Sequence, residues 1–309
     1  MEGKPVGSVQ YLKKGLWGIV ATPFLTPDFV IDKSSLRREI KFFRSIGATG
    51  VVALGVFGEG AALDSHEQID VVSTVIDEAQ GLPIVVGISE RTTATAIEQA
   101  KGILAVADGK VSALMVQVNT PTPQELIEHL TQIYNQTKLG IVLQDYPVVS
   151  GIKISVSQIL ETVKQCPFIV AIKSESPPTS QAIAGLSAHT DIPVFGGLGG
   201  VGLLDELAAG AAGAMTGFSF PEGLLETLDA WNSGGADAAR EAFSKWLPLA
   251  NFEAQPGIAL AIRKELLKQR GIFNESIVRA PAPAFPEILR PMLMSHFAAA
   301  EKILKKSKG

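Results

Sequence analysis

Short β-branched runs alternate with longer amphipathic stretches eight times along the chain, and this repeat constrains the fold more than any other feature. The runs are LWGIVAT (16–22), GVVALG (50–55), PIVVGI (83–88), ALMVQV (113–118), GIVLQDY (140–146), FIVAIK (168–173), IPVFGG (192–197) and GAMTGFS (213–219). After the first run, Leu36, Ile40 and Phe43 fall at positions i, i+4 and i+7, the spacing of one helix face. Alternating helices and apolar strands indicate a parallel sheet, and eight strand–helix units close a barrel. We therefore predict an α/β fold, a (β/α)8 (TIM) barrel.

The chain continues well beyond its eighth strand–helix unit. That unit ends near Trp231, and the segment NSGGAD (232–237) has the composition of a turn. Helical patterns occupy the rest of the sequence, so we predict a C-terminal helical extension that packs on the barrel or on a partner subunit. The expected division is a catalytic barrel domain over residues 1–234 and the extension over residues 235–309.

Composition narrows the class of protein. The formal net charge is −4, so no basic field points to nucleic acid or an anionic membrane surface as a partner. The single cysteine, Cys166, cannot form an internal disulfide and fits a reducing compartment. Charged residues interrupt each long apolar region, the N-terminus has no signal pattern, and the basic run from Lys302 to Lys308 is typical of a solvated helix end. We expect a cytoplasmic enzyme with a small-molecule substrate.

Lys173 is the most informative single residue. It closes the sixth run, directly after the apolar residues 169–172, where a charged side chain is costly unless it is paired or neutral. In a (β/α)8 barrel the carboxyl ends of the strands carry the active site. Burial there disfavours the ammonium form of a lysine and frees its lone pair, so the amine can attack a ketone and form a Schiff base. The alternative is a structural lysine that pairs with Glu175 or reaches solvent.

Three short segments combine into one pattern: the pair Thr22–Pro23, the Gly-x-x-Gly-Glu turn Gly55–Glu59 and the Pro-x-x-Ser-Gly segment Pro147–Gly151. Together they resemble the dihydrodipicolinate synthase/N-acetylneuraminate lyase family of class I aldolase-type barrels, which has these three motifs. The family lysine follows the last of these segments, as Lys173 does. The resemblance covers most of the chain. It implies that Lys173 forms the Schiff base with a 2-oxo acid, that the reaction needs no cofactor, and that the chain forms a homodimer or homotetramer.

Departures from the family pattern bear on the substrate. Val56 and Phe57 stand where the turn usually carries two hydroxyl residues, which leaves backbone N–H groups near Phe57 and Gly58 to hold the carboxylate of the oxo acid. The synthase's arginine after the tyrosine segment is missing from VVSG. Gln144 occupies the usual tyrosine position, and Tyr146 lies two residues further on, on the same strand face. Either Tyr146 is the acid/base group, or Gln144 orients a water and Tyr146 packs on the rim.

The QD-x-P segment, followed by GGLGG, resembles the family branch of 2-keto-3-deoxy sugar-acid dehydratases. We therefore predict a lysine Schiff-base lyase that dehydrates such a sugar acid or cleaves its carbon chain. Arg91 and Glu175 are expected to contact the distal hydroxyls, and Gly197 to leave room for the ligand beside the backbone. The alternatives are a pyruvate condensation like that of dihydrodipicolinate synthase, or an aldol cleavage like that of N-acetylneuraminate lyase or 4-hydroxy-2-oxoglutarate aldolase.

Two other classes of protein fit parts of the sequence. GLGGVG (197–202) satisfies the pattern G-x-G-x-x-G, and Glu222 follows at a suitable distance, as in a nicotinamide-dependent oxidoreductase. That pattern normally opens the first unit of a doubly wound sheet, whereas here it follows the seventh run. A catalytically inert sensor barrel is the second class. The four histidines are scattered, without H-E-x-x-H or clustered carboxylates, so no metal site is predicted.

Overall fold

Eight parallel strands form a closed barrel in the computed structural model, which describes residues 10–306. Each strand pairs with its neighbours in sequence, and the first pairs with the eighth. The strands are β1 Gly15–Ile19, β2 Gly50–Ala53, β3 Ile84–Ile88, β4 Val111–Gln117, β5 Gly140–Asp145, β6 Ile169–Ser174, β7 Val194–Gly196 and β8 Gly213–Thr216. The predicted (β/α)8 barrel is confirmed.

Helices surround the barrel and continue after its last strand. The first seven are α1 Lys33–Ser45, α2 Ser65–Ala79, α3 Thr93–Ala107, α4 Pro123–Thr137, α5 Val156–Gln165, α6 Thr179–Ser187 and α7 Leu203–Ala208. The later ones are α8 Pro221–Ser244, α9 Leu247–Glu253, α10 Ala259–Gln269 and α11 Arg290–Lys306. The smaller elements are a hairpin of Phe24–Leu25 with Val30–Ile31 and single turns at Gly60–Ala62, Pro147–Ser150, Leu198–Gly200 and Glu287–Leu289.

Local sequence decides where the helices begin and which face they bury. At the start of α2, the Asp64 carboxylate accepts a hydrogen bond from the Glu67 N–H, and the Glu67 carboxylate accepts one from the Asp64 N–H. This reciprocal capping satisfies two donors that the helix itself cannot. The apolar face predicted for α1 is confirmed, because Leu36, Ile40 and Phe43 are all buried.

Apolar side chains fill the barrel interior up to the level of Lys173. Val52, Met115 and Ala171 belong to the buried cluster inside the barrel. Lys173 lies two residues beyond Ala171 on β6, so both side chains face the interior, with Lys173 at the carboxyl end. The ladder between β5 and β6 pairs Lys173 with Gln144. The register therefore sets these two polar residues side by side at the mouth of the barrel.

The C-terminal helices pack against the side of the barrel where β1 meets β8. Leu249, Ile262 and Leu293 from these helices share a buried apolar cluster with Leu16 of β1 and Ala214 of β8. The cluster removes their apolar surface from water, the main favourable term in such packing. The extension therefore packs on the barrel of its own chain, one of the two arrangements expected.

Helix α8 is interrupted inside the segment predicted as a turn, so the predicted break is present but is confined to one residue. Within residues 232–237 only Gly235 leaves the helical conformation, with φ 72° and ψ −157°. A positive φ of this size favours glycine, which explains why the break falls there. The division into residues 1–234 and 235–309 stays a prediction, with Gly235 as its nearest structural counterpart.

Some expectations fall on the ends of the chain. Residues 1–9 and 307–309 lie outside the described residues. The expectation that the N-terminus has no signal pattern therefore falls outside them, and so does Lys308 of the basic run. Residues 302–306 of that run belong to α11. Among the described helices, none is both long and apolar enough to cross a membrane.

A buried ion pair joins the extension to the mouth of the barrel. Lys264 of α10 has no exposed surface, and its Nζ contacts a carboxylate oxygen of Glu59 and donates to the Ile277 carbonyl at 2.8 Å. The other oxygen of Glu59 accepts a hydrogen bond from the Arg279 N–H at 2.8 Å. Both charges are thus compensated out of water, which is the condition for burying them.

We predict that Lys264→Met lowers the free energy of unfolding by about 3–5 kcal/mol, because Glu59 would lose its buried counter-ion. Lys33→Met is the matched control. Lys33 pairs with Asp70 at 2.9 Å, but the two side chains are 44% and 53% exposed, and such a surface pair contributes roughly 0–1 kcal/mol. Urea unfolding followed by circular dichroism compares the variants, and equal losses would contradict a special role for the buried pair.

Candidate active site

Two adjoining cavities lie at the mouth of the barrel, where the strands end. The smaller, about 190 Å³, is called the lysine cavity. Its principal lining residues are Phe57, Tyr146, Lys173, Glu175, Leu198 and Arg263. The larger, about 470 Å³, reaches the ends of β3 and β4 and is called the distal chamber. Val56 and Leu260 line both spaces, so the two cavities adjoin.

Lys173 faces the lysine cavity as one partner of a buried ion pair. Its Nζ lies 3.0 Å from Oε2 of Glu175, and the two side chains are 6% and 5% exposed. Gln144 donates from Nε2 to the same oxygen at 2.6 Å, and the Leu198 N–H donates to the other oxygen at 3.3 Å. The ion pair named above as the structural alternative is therefore present. It also sets a proton acceptor beside the amine, as a nucleophilic lysine requires.

Tyr146 and Gln144 occupy different positions around this pair. Tyr146 lines the lysine cavity itself, whereas Gln144 lines the distal chamber and is tied to Glu175. Burial, and after it the negative charge of Glu175, raises the pKa of the Tyr146 phenol, although Arg263 opposes the shift. The phenol is therefore protonated at neutral pH and able to donate a proton.

The turn after β2 contributes Val56 and Phe57 to the cavities, but not Gly58. The Phe57 ring centroid lies 5.4 Å from the guanidinium carbon of Arg263, within the range of a cation–π contact. Gly58 lines neither cavity, and its carbonyl accepts a hydrogen bond from the Thr22 hydroxyl at 2.7 Å. The turn therefore presents two apolar side chains to the cavities at the positions where the family pattern has hydroxyl residues.

The GLGGVG run makes space for side chains. It forms the single turn Leu198–Gly200 after β7 of a closed barrel, away from the first unit of a doubly wound sheet where a dinucleotide fingerprint belongs. A Cβ on Gly197 would collide with the Glu175 carboxylate, and one on Gly199 with the Arg263 guanidinium. Gly197 was expected to leave room for the ligand. In the structure the space beside its Cα is occupied by the Glu175 carboxylate.

The distal chamber is largely apolar, with a few polar groups along the strand ends. Arg91 lines it, and its Nη2 lies 3.4 Å from the Val149 carbonyl. Gln117 lines it too, and its buried Oε1 accepts no hydrogen bond from a described residue. The Ser89 hydroxyl accepts a hydrogen bond from Gln99 at 3.0 Å. A ligand hydroxyl would therefore find an acceptor at Gln117 and a donor at Arg91.

Several residues from the C-terminal third of the chain line these cavities, and none of them is among the site residues predicted from the sequence. Leu260 and Arg263 lie on α10, and Arg279 follows that helix. The available signal is the run Arg263–Glu265, three consecutive charged residues inside an apolar helical stretch. A helix that packs on a barrel cannot expose all three charges, so at least one has to meet a buried partner.

The histidines of the described chain lie away from the two cavities. His129 is buried in α4, where burial lowers its pKa to about 4 and its Nδ1 lies 2.9 Å from the Thr93 hydroxyl. His66, His189 and His296 line neither space. Between residues 10 and 306 no group of three or more His, Cys, Asp or Glu is arranged to hold a metal ion.

The fold is a (β/α)8 barrel with an inward-facing lysine at its strand ends. The model of the dihydrodipicolinate synthetase family matches residues 12–299, and the chain belongs to this family, as predicted. An L-2-keto-3-deoxyarabonate dehydratase of Azospirillum brasilense is 27% identical over 295 residues, 91% of this chain and 93% of that protein. A 4-hydroxy-tetrahydrodipicolinate synthase of Geobacter metallireducens is 30% identical over 245 residues, 77% and 82% of the two chains. The crystal structure of dihydrodipicolinate synthase from Rhodopseudomonas palustris matches with a TM-score of 0.85 at 28% identity, over 94% of this chain and 99% of that one.

A second buried carboxylate lies near the pair of Glu59 and Lys264. Glu39 of α1 is almost fully buried, with one oxygen accepting a hydrogen bond from the Ala21 N–H at 3.1 Å and the other without a described partner. Burial raises the pKa of Glu39 to about 8, and the Ala21 N–H and the charge of Lys264 offset only part of that shift. Glu39 is therefore mostly protonated at pH 7 in the folded protein.

We predict that Glu39→Gln removes part of the pH dependence of stability. The unfolded chain releases this proton near pH 4.5 and the folded protein near pH 8, so the native state loses stability as the pH rises between these values. The loss is about 1.4 kcal/mol per pH unit inside that window. The amide of the variant cannot ionise and should lack the loss, which denaturant unfolding from pH 5 to 9 measures. Glu161→Gln, at an exposed position of α5, is the control, and an equal change there would refute the explanation by burial.

Proposed function

We propose that this protein is a Schiff-base-forming lyase that acts on a 2-oxo acid, with 2-keto-3-deoxy sugar acids as the substrate class. The observation that carries the proposal is the buried amine of Lys173 at the carboxyl end of β6, which faces a cavity shared with Tyr146 and Glu175. An amine kept out of water can attack a ketone once the neighbouring carboxylate has taken its proton. Membership of the family supports the same chemistry.

In the proposed reaction, Glu175 takes a proton from the ammonium of Lys173, 3.0 Å away, and the free amine attacks the C2 carbonyl. Tyr146 gives its proton to the C2 oxygen and passes on a second one from the attacking nitrogen, so the oxygen leaves as water and the protonated imine keeps one N–H. The imine draws electrons from C3, so a proton can be removed there. Loss of the C4 hydroxyl as water then gives dehydration. Breaking the C3–C4 bond instead gives pyruvate and an aldehyde.

The distal chamber supports a substrate longer than pyruvate. Its volume of about 470 Å³ adjoins the lysine cavity, and Gln117 and Arg91 offer partners to hydroxyl groups beyond C4. The relative from Azospirillum brasilense is named for a keto-deoxy sugar acid, which supports the same class. Glu175 is engaged by Lys173 and Gln144, so we assign it to proton transfer and leave the distal hydroxyls to Arg91.

Condensation of pyruvate with a second carbonyl compound is the other candidate, because several relatives are named 4-hydroxy-tetrahydrodipicolinate synthase. The segment Pro147–Gly151 gives it less support, since it lacks the arginine that would hold a second carboxylate. A panel of pyruvate, 2-keto-3-deoxy sugar acids and 4-hydroxy-2-oxoglutarate decides the matter. Mass spectrometry detects water loss, and a pyruvate assay detects cleavage.

We also propose that the chain acts as a homodimer or homotetramer and works in the cytoplasm, as the family resemblance and the composition led us to expect. One structure with the same fold, at a TM-score of 0.83 and 21% identity, is described as a monomeric dihydrodipicolinate synthase variant. The fold alone therefore does not fix the oligomeric state. Sedimentation velocity on the purified full chain measures it directly.

Lys173→Ala should abolish imine formation. Wild type treated with pyruvate and borohydride should gain the mass of one reduced adduct, and the variant should gain none, because no other amine lies in the lysine cavity among the described residues. Glu175 keeps its hydrogen bonds from Gln144 and the Leu198 N–H, so we expect the variant to fold. Lys153→Ala, at an exposed lysine, is the control and should keep the adduct. A full adduct on Lys173→Ala would overturn the assignment.

Tyr146→Phe should lower turnover by ~10²–10⁴-fold, the usual scale for losing a positioned acid or base, while the ring keeps its packing. Gln144→Ala removes a hydrogen bond to Glu175 and should lower turnover less. Steady-state rates for the best substrate of the panel compare the two variants. A larger fall in Gln144→Ala, with Tyr146→Phe near wild type, would favour the alternative in which Gln144 orients a water.

A further inference from the structure

Arg263 brings a positive charge into the lysine cavity from outside the barrel. It lies on α10, is only 9% exposed, and lines the cavity together with Lys173 and Tyr146. Its Nε lies 3.3 Å from Oε2 of Glu253. The Nε atom is buried and makes no hydrogen bond with a described residue, although a buried guanidinium normally uses its donors. A cationic group therefore lines the space where a substrate would react.

The surroundings hold the guanidinium in this position. The Phe57 ring lies on one side of it at 5.4 Å. Gly199 lies on another side, where a Cβ would collide with Nη2. Glu253 has no exposed surface and is itself fixed by the Ser219 N–H, which donates to it at 3.1 Å. The side chain is thus oriented before any ligand arrives, which favours binding because little freedom is lost.

Two ion pairs lie in and beside the lysine cavity. Lys173 pairs with Glu175 at 3.0 Å, and Arg263 pairs with Glu253 at 3.3 Å. Arg263 lines the cavity, whereas its carboxylate partner Glu253 does not. A cation placed in this way suits one small anion.

The turn after β2 lacks the hydroxyl side chains that would help to hold such an anion. Val56 and Phe57 replace the hydroxyl residues of the turn, and Gly58 lines neither cavity. In a 2-oxo acid the C1 carboxylate is bonded to C2, the atom that Lys173 attacks. The anion must therefore lie in the lysine cavity, within reach of Arg263. A guanidinium can donate two parallel hydrogen bonds to one carboxylate, which fixes its orientation as well as its charge.

We infer that Arg263 binds the C1 carboxylate of the substrate and so selects 2-oxo acids over neutral ketones. This inference rests on the proposed Schiff-base chemistry at Lys173, and it assigns the specificity to a helix outside the barrel. Phe57 then contributes to anion binding by packing on the guanidinium. The backbone N–H groups of the turn, which the sequence suggested as the anion site, have at most a secondary part.

Trapping with borohydride tests the inference with two probes of equal shape. Pyruvate carries the carboxylate, and pyruvamide replaces it with a neutral amide. Intact-mass measurement over a concentration series gives the half-saturating concentration of each probe. Arg263→Gln should raise that of pyruvate by about 10- to 100-fold, the worth of a charge-assisted hydrogen bond, and that of pyruvamide by less than about 3-fold. Arg263→Lys keeps the positive charge but loses the paired N–H donors of the guanidinium. Its half-saturating concentration of pyruvate should lie between those of wild type and Arg263→Gln.

Two further variants separate binding from stability. Arg263→Gln leaves Glu253 buried beside a neutral partner, so Arg263→Gln/Glu253→Gln removes both charges, and its thermal unfolding reports whether the fold is kept. The double variant should show the same selective loss of pyruvate. Arg240→Gln, at an exposed position of α8, is the control and should change neither probe.

The outcomes distinguish this inference from the proposed function. Adducts with pyruvate at wild-type concentrations in the Arg263 variants, or equal losses for pyruvate and pyruvamide, would overturn the role of Arg263 and leave the Schiff-base lysine in place. If wild type forms no adduct with any 2-oxo acid, the proposed function falls. Calorimetric titration of Lys173→Ala and Lys173→Ala/Arg263→Gln with pyruvate then decides the anion site alone. Equal affinities in the two would overturn it, and binding lost only with Arg263 would support it.

Discussion

The buried ion pair between Glu59 and Lys264 is the interaction on which the mouth of the barrel depends. Glu59 ends the turn after β2, and Lys264 lies 205 residues later on α10. Since neither charge is compensated by water, separating the two side chains would leave an unpaired charge inside the protein. The pair therefore holds α10 against the turn, and the residue next to it, Arg263, is held at the lysine cavity as a consequence.

The mouth carries more charge than a protein interior usually contains, and contacts between distant elements compensate most of it. Lys173 and Glu175 pair within one strand end, whereas Arg263 and Glu253 pair between two helices of the extension. Glu39 avoids the cost by staying protonated. Apolar residues of the same volume would often stabilise a fold as well or better. The arrangement makes physical sense if these groups serve a reaction, because fixed charges in a dry site need no reorganisation when the substrate reacts.

The barrel could be predicted because parallel strands that are buried on both faces appear in the sequence as continuous apolar runs. Lys173 could be predicted for the same reason, since a charge at the end of such a run stands out. Gln144 and Tyr146 were expected on one strand, but β5 ends at Asp145, and their separation into two cavities depends on how the segment after the strand packs. Arg263 could not be predicted as a site residue, because nothing local tells a helix which of its charges meets a pocket formed by strands far earlier in the chain.

The contribution of α10 to the lysine cavity also has a consequence for the order in which the enzyme becomes competent. Chains fold as they leave the ribosome, beginning from the N-terminus. All eight barrel strands are synthesised by residue 216, but Arg263 and Lys264 emerge only afterwards. Until then the lysine cavity lacks the part of its lining that α10 supplies. The complete cavity therefore forms only when translation has passed α10.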